Sequence, residues 1–364
     1  MNDRHRERIA GAQRVLREQD AEFLIVPASA DFRWLTGAQV RATERLLCLV
    51  VPETGAPFCI VPMLESDALG AECPWLERLA WEDDRDPWAL LAGRLALERR
   101  PALLLNEGFR VGPLLTLAER TRCRPAAPAL EPLRAVKDAD ELRLLATAGG
   151  HADQVVMEAA ERMRPGMTER EVARFVLERF EALGDTDAWA IVGSGPNSAL
   201  PHHLTSRRKL EDRDVVVLDV GAHTEGYASD ITRSFWLGTP PAEAEKVYAI
   251  VDEARRAGIA AVRAGVPAES VDRAARAVIE RAGYGPSFTH RTGHGVGLEI
   301  HEPPYLVRGN SKLLAAGMTH SVEPGIYLNG RFGIRLEDIV AVEESGARRL
   351  NDAPFAPVPQ RVRG

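Results

Sequence analysis

Apolar positions in the first ~130 residues switch between helical and strand-like spacing. Residues 4–18 predict a helix and EFLIV (22–26) a strand. LLCLVVP (46–52) and PFCIVP (57–62) flank the turn residues ETGA and predict a hairpin. A helix about WALLAGRLALERR (88–100) and the strand ALLLNE (102–107) follow. This is the pattern of an α/β domain over residues 1–130. The proline-rich, then charged stretch PAAPALEPLRAVKDADE (125–141) marks the boundary and leads into a long helix.

The second domain, 131–364, contains a diverged repeat. RPGMTEREVARFVLERFEALG (164–184) aligns without a gap on RAGVPAESVDRAARAVIERAG (263–283), at a constant offset of 99 residues. Each reads as a loop and an amphipathic helix ended by glycine. The offset continues into chemistry, pairing His202 with His301. Each half then supplies two strands: DVVVLDVGA (214–222) with GYASDITRSFWLG (226–238), and MTHSVEPGIYL (318–328) with FGIRLEDIVAV (332–342). Two related halves, each with helices and a hairpin, are expected to be arranged with pseudo-two-fold symmetry. The proline-rich DAPFAPVPQRVRG (352–364) is expected to run along the surface.

Composition changes this picture little. The formal charge is -7 over 364 residues, and basic clusters such as SRRK (206–209) are too short for a nucleic-acid footprint. The N-terminus MNDRHRERIA is charged where a signal peptide needs an apolar core. No apolar run approaches the ~20 residues of a membrane span. Four cysteines without CxxC spacing suggest a reduced, cytoplasmic protein.

The informative positions are acids inside apolar strands. Asp219 and Asp230 lie in the first hairpin, Glu323 and Glu337 in the second. Asp219 shares a strand face with Val215, Val217 and Gly221, in a strand apolar on both faces and therefore buried. Buried carboxylates require a partner or a cation, and the chain offers no matching set of four buried arginines. Oxygen ligands with one imidazole suit Mn²⁺, Co²⁺ or Zn²⁺. The imidazole is assigned to His294, in RTGHGVGLEIHEPP (291–304), where flanking glycines let backbone pass close to a ligand. This stretch matches neither a dinucleotide fingerprint nor a P-loop, and prolines follow His301-Glu302, which excludes a HExxH helix.

In order, the motifs ALPHH, VVVLDVGA, SDITRSF, TGHGVGLEIHEPP, SVEPGIY and GIRLED resemble the pita-bread metallopeptidases. That family includes methionine aminopeptidases, Xaa-Pro aminopeptidases and prolidases, and the resemblance is greatest to the Xaa-Pro dipeptidase branch. It extends more loosely to RWLTGA (33–38) and LRAVKDADEL (133–142). It implies an N-terminal creatinase-like α/β domain and a C-terminal pita-bread α+β domain. It further implies two divalent metal ions per subunit, Mn²⁺ first, with Co²⁺ or Zn²⁺ as alternatives. Asp219 would chelate one ion, His294 and Glu323 the other, and Asp230 and Glu337 would bridge them.

Glu323 would be general base to a water between the ions. His202 and His301 would hydrogen-bond the reacting carbonyl, with His203 as a rival to His202. Arg335 would neutralise the acids, and Thr232 would orient Asp230. Some prolidases carry an arginine four residues after the second histidine, where it clamps a dipeptide's carboxylate. Here that position is Tyr305, so either Tyr305 or Arg308 must replace the clamp, or longer peptides are accepted. The expected activity is hydrolysis of the Xaa-Pro bond, with dipeptides preferred to longer aminopeptidase substrates. A non-catalytic peptide-binding relative, or a metal-free guanidino-compound hydrolase like creatinase, fits the intact acid set less well. The resemblance also implies a homodimer, in which the first domain narrows access and a partner loop from the RWLTGA region reaches the pocket.

Overall fold

The computed structural model describes residues 3–354. The proline-rich tail from 355 onward lies outside them. The chain divides into two compact units, 1–134 and 135–364.

The first unit is a six-stranded mixed sheet in the order 77–81, 58–62, 48–52, 23–27, 102–105, 122–125. The predicted hairpin is present, with Cys48 opposite Ile60. The proline-rich stretch holds the boundary between the two units and leads into the long helix Ala139–Arg162, as expected. Part of it is itself helical, Ala127–Ala135, with Pro128 in the first turn, where no backbone donor is needed, and Pro132 inside it. RWLTGA closes the short helix Ala30–Thr36, which ends on Gly37 at φ +83°. All four cysteines are free thiols.

In the second unit the repeat is visible down to single hydrogen bonds. Helices Glu169–Ala182 and Glu269–Arg281 are each preceded by a left-handed glycine, Gly166 and Gly265, and followed by another, Gly184 and Gly283. Gly166 N–H donates to Leu210 C=O at 2.8 Å, as Gly265 does to Leu314, also at 2.8 Å. Long helices Ala139–Arg162 and Ala242–Ala261 precede each module.

The strands Val215–Thr224 and Ile231–Trp236 pair as the first hairpin, with Asp219 opposite Thr232. Val216, Leu218, Val220 and Ala222 pack on Val155, Val156 and Phe180 of the helices beneath. Val215, one position out of phase, joins the other half's core with Val251, Ile279 and Ile334. The strand is thus sandwiched between halves, and the face carrying Asp219 looks into the space they enclose.

The second hairpin departs from a simple pair. Thr319–Val322 pairs with Asp338–Glu343, and Gly325–Leu328 with Phe332–Arg335, in separate sheets. The register is continuous through the gap, which sets Glu323 opposite Glu337. Pro324 has no N–H to donate there. The freed backbone turns outward: Glu323 N–H donates to Thr292 C=O at 2.8 Å and Glu337 N–H to Thr232 C=O at 3.1 Å. The break therefore stitches the second hairpin both to the glycine-rich stretch and to the first hairpin.

Candidate metal centre

That stitching brings Asp219, Asp230, His294, Glu323 and Glu337 to one wall of a cavity of about 600 Å³. Ligand atoms of three overlapping groups lie within 4.8 Å of one another: Asp219, Asp230 and Glu337; His294, Glu323 and Glu337; Asp230, His294 and His301. Glycines make this approach possible. A Cβ at Gly293 would sit 2.2 Å from Ser321 O, and one at Gly295 2.4 Å from Pro303 O. Gly293–Gly295 can be sandwiched between two strands only because both flanks of His294 are bare.

The electrostatics call for cations. Four carboxylates converge, and the guanidinium that reaches them is Arg335, which is buried and bonded to Asp219, to Thr232 Oγ1 at 3.1 Å and to the Tyr327 hydroxyl at 2.9 Å. Burial, then the neighbouring carboxylates, pushes Asp230 and Glu337 well above the usual carboxylate range. Burial acts on Glu323 in the same direction, but the hydrogen bond and charge of His294, with His290 and Arg335, bring it down to about 2. Asp219 Oδ1 and Glu337 Oε1 are buried without a protein partner. His294 Nδ1–H donates to Gly295 C=O at 3.1 Å, which turns the other ring nitrogen, Nε2, towards Glu323 at 3.2 Å and Asp230 at 3.6 Å. Ligand atoms converging across 3–4 Å form the kind of setting that a bound cation occupies. The donor set fits hard divalent ions.

Two domains of known type match this chain. Residues 143–344 match metallopeptidase family M24, and residues 8–136 the creatinase/prolidase N-terminal domain. The chain belongs to family M24. It is 40% identical over 338 residues to the probable dipeptidase PepE of Mycobacterium tuberculosis, covering 91% of this chain and 90% of that one. The crystal structure of dipeptidase PepE from Mycobacterium ulcerans superposes with a TM-score of 0.91 at 39% identity, covering 97% and 96% of the two chains. That of the prolidase from Thermococcus sibiricus gives 0.91 at 37% identity, covering 97% and 98%. This M24 protein is therefore a metallopeptidase built from a creatinase-type N-terminal domain and a pita-bread catalytic domain, with clusters suited to divalent metal.

His202, His301 and Arg335 line the same cavity. Glu169 places His202 and His203 differently. This buried carboxylate accepts from Ser194, Asn197 and Ser206, and pairs with His203 Nε2 at 2.8 Å. His203 thus locks the loop, and its neighbour His202 faces the cavity. The His301 ring stands edge-on to His294, centroids 4.1 Å apart, and burial followed by the charge of His294 lowers it to about 4.

Two side chains lie elsewhere than the sequence reading expects. Thr232 gives its hydroxyl to Glu337 Oε2 at 2.7 Å rather than to Asp230, because the cross-hairpin contact falls nearer than the position two residues back along its own strand. Tyr305 is not among the residues lining the cavity; its ring lies under the Arg291 guanidinium, 4.5 Å from ring centroid to carbon. Arg308 is largely exposed and lies 3.8 Å from Glu280.

Arg291 itself lines the cavity, and sequence reasoning passed over it at the edge of the quoted motif. His290 was missed too. Its Nδ1–H donates to Arg291 C=O at 2.7 Å, so its Nε2 accepts from the Tyr327 hydroxyl at 2.8 Å. Trp189, Ile191 and Ile300 supply an apolar wall. The strand 186–194 carrying the first two had no acid or histidine to signal it.

Proposed function

We propose that this M24 enzyme hydrolyses the Xaa-Pro bond of dipeptides, with two divalent ions, Mn²⁺ preferred, held by Asp219, Asp230, His294, Glu323 and Glu337. The observation that carries the reading is the set of five convergent donors, two with buried unpartnered oxygens, in a cavity also lined by His202, His290 and His301. When bound, such ions polarise the scissile carbonyl and lower the pKa of water. Glu323, steadied by Ser321 Oγ at 3.2 Å, stays ionised and takes the proton of the attacking water as general base. His202 and His301 donate hydrogen bonds to the oxygen on which negative charge develops. Arg335 offsets part of the negative charge of the acids, and bound ions would offset the rest.

Arg291, levelled on the Tyr305 ring, takes the role of the clamp for the dipeptide carboxylate. Trp189, Ile191 and Ile300 receive the Xaa side chain. The free thiols support a cytoplasmic enzyme, and among the described residues no helix is long and apolar enough to cross a membrane. The family resemblance supports a homodimer whose first domain narrows access to the site.

One observation favours the longer-peptide reading. A second hollow of about 420 Å³, bordered by Arg276 and Arg308, shares His290 and Arg291 with the first and offers room beyond the clamp. The test is kcat/KM for Ala-Pro and for an Ala-Pro-Xaa tripeptide, in the parent and in Arg291→Met. A dipeptidase prefers Ala-Pro and suffers mainly in KM on losing Arg291. Preference for the tripeptide would favour the aminopeptidase reading, and hydrolysis of neither with Mn²⁺ would overturn both.

A further inference from the structure

The loop carrying His202 is held by the buried Glu169 hub. The repeat does not supply one to His301. At the 99-residue offset Glu169 becomes Ala268, and its neighbour Glu269 meets the exposed backbone N–H of Gly309 at 2.9 Å and Arg273 on its own helix at 4.0 Å. Something else must fix the turn that presents Ile300 and His301.

A buried ion pair lies one residue beyond His301. Lys137 Nζ donates to Glu302 Oε1 at 2.6 Å and to Ala135 C=O at 3.1 Å, and both side chains of the pair are 1% exposed. Glu302 also accepts from Glu299 N–H at 3.4 Å, and its carboxylate fills the space beside Gly297, where a Cβ would stand 2.5 Å from Oε1. Turn residues 297–302 are thus wrapped around this one carboxylate. Lys137 is fixed in turn by its backbone: Val136 bridges Met318, and Lys137 N–H donates to Gly317 C=O at 2.9 Å. That contact abuts the strand running towards Glu323. Lys137 falls between the two matched family segments, 8–136 and 143–344.

We propose that Lys137 is a positioning residue for His301, acting through Glu302. A buried pair contributes little to stability beyond what an apolar pair of equal volume would give. Its distinctive effect is directional, because the carboxylate can satisfy the turn only when the ammonium holds it in place. The inference rests on the substrate-side role of His301 proposed above.

The test uses full-length Lys137→Met, Glu302→Gln, the double variant and Lys137→Arg, all loaded with Mn²⁺. Hydrogen exchange read by mass spectrometry should quicken in the 296–302 segment of Lys137→Met, while 214–238 and 318–342 stay as in the parent. Ala-Pro turnover should lose about 10- to 100-fold in kcat, the scale of a slight misplacement of a reacting group, with KM and metal content little changed. Lys137→Arg should recover part of the loss. The double variant should regain thermal stability without regaining kcat. Unchanged exchange in 296–302 would overturn the proposal, as would a double variant with parental kcat. Should no form cleave Ala-Pro, the proposed activity fails, yet the exchange pattern still decides whether Lys137 holds this turn. Glu302→Gln supplies the same readout if Lys137→Met does not fold.

Discussion

Replacing Thr232 by valine removes a single hydroxyl from the centre while keeping its volume. In the parent that hydroxyl donates to Glu337 Oε2 at 2.7 Å and accepts from Arg335 Nε at 3.1 Å. It is fully buried, so water cannot replace it. A hydrogen bond to a charged group contributes about 1.5–3 kcal/mol. Part of that loss falls equally on the loaded and empty protein and cancels in binding. What remains is the freedom of Glu337 to turn away from the ions, and partners behind a ligand typically shift metal affinity by about 10- to 100-fold. Converted, that is about 1.4–2.7 kcal/mol, the size of the lost bond. We expect Mn²⁺ affinity, measured by competition with a chromophoric chelator, to fall by this factor. Thr232→Ser should restore it, since only the methyl group is lost. Parental affinity in Thr232→Val would refute the claim that this hydroxyl holds Glu337 for the metal.

His202→Ala should keep its metal and lose about 10²- to 10⁴-fold in kcat, the usual range for a proton-handling group; His203→Ala should instead lower the melting temperature, because Glu169 loses a partner. Metal loss from His202→Ala would mean its role had been misassigned. His320 is wholly buried and burial lowers it to about 4. The unfolded chain takes that proton below its ordinary 6.5 while the folded chain does not, so the contribution is intact above 6.5 and lost on acidification, by about 2 kcal/mol at pH 5. In urea titrations of metal-free protein, His320→Asn should shrink the difference between neutral and acid stability by about that amount. Stripping the metal tests the acid cluster. Because the folded pKa values of Asp230 and Glu337 are raised, metal-free stability from these groups is present at low pH and lost as pH rises. The gap in melting temperature between loaded and stripped protein should therefore widen from mildly acidic to mildly alkaline pH, and a constant gap would argue against cation binding by these acids.

The sequence alone determined the two-domain division, the repeat and which acids had to meet. Those features are local or periodic: a glycine at a left-handed helix end, an acid in an apolar strand, an offset that persists for tens of residues. Desolvation made the acids legible, because Asp219 amid Val215, Val217 and Gly221 has no stable unpaired state. Contacts between halves were not legible. Whether Thr232 reaches Asp230 or Glu337 depends on how the two hairpins are stitched at Glu323 and Glu337, and no spacing along one strand encodes that. Tyr305 has the motif position, but only packing decides that Arg291, and not Tyr305, lines the cavity. Lys137 and Glu302 lie 165 residues apart, and neither sits in a pattern that points to the other. Short-range preferences are written along the chain, whereas partner choice across the core is fixed only when the whole chain excludes water around it.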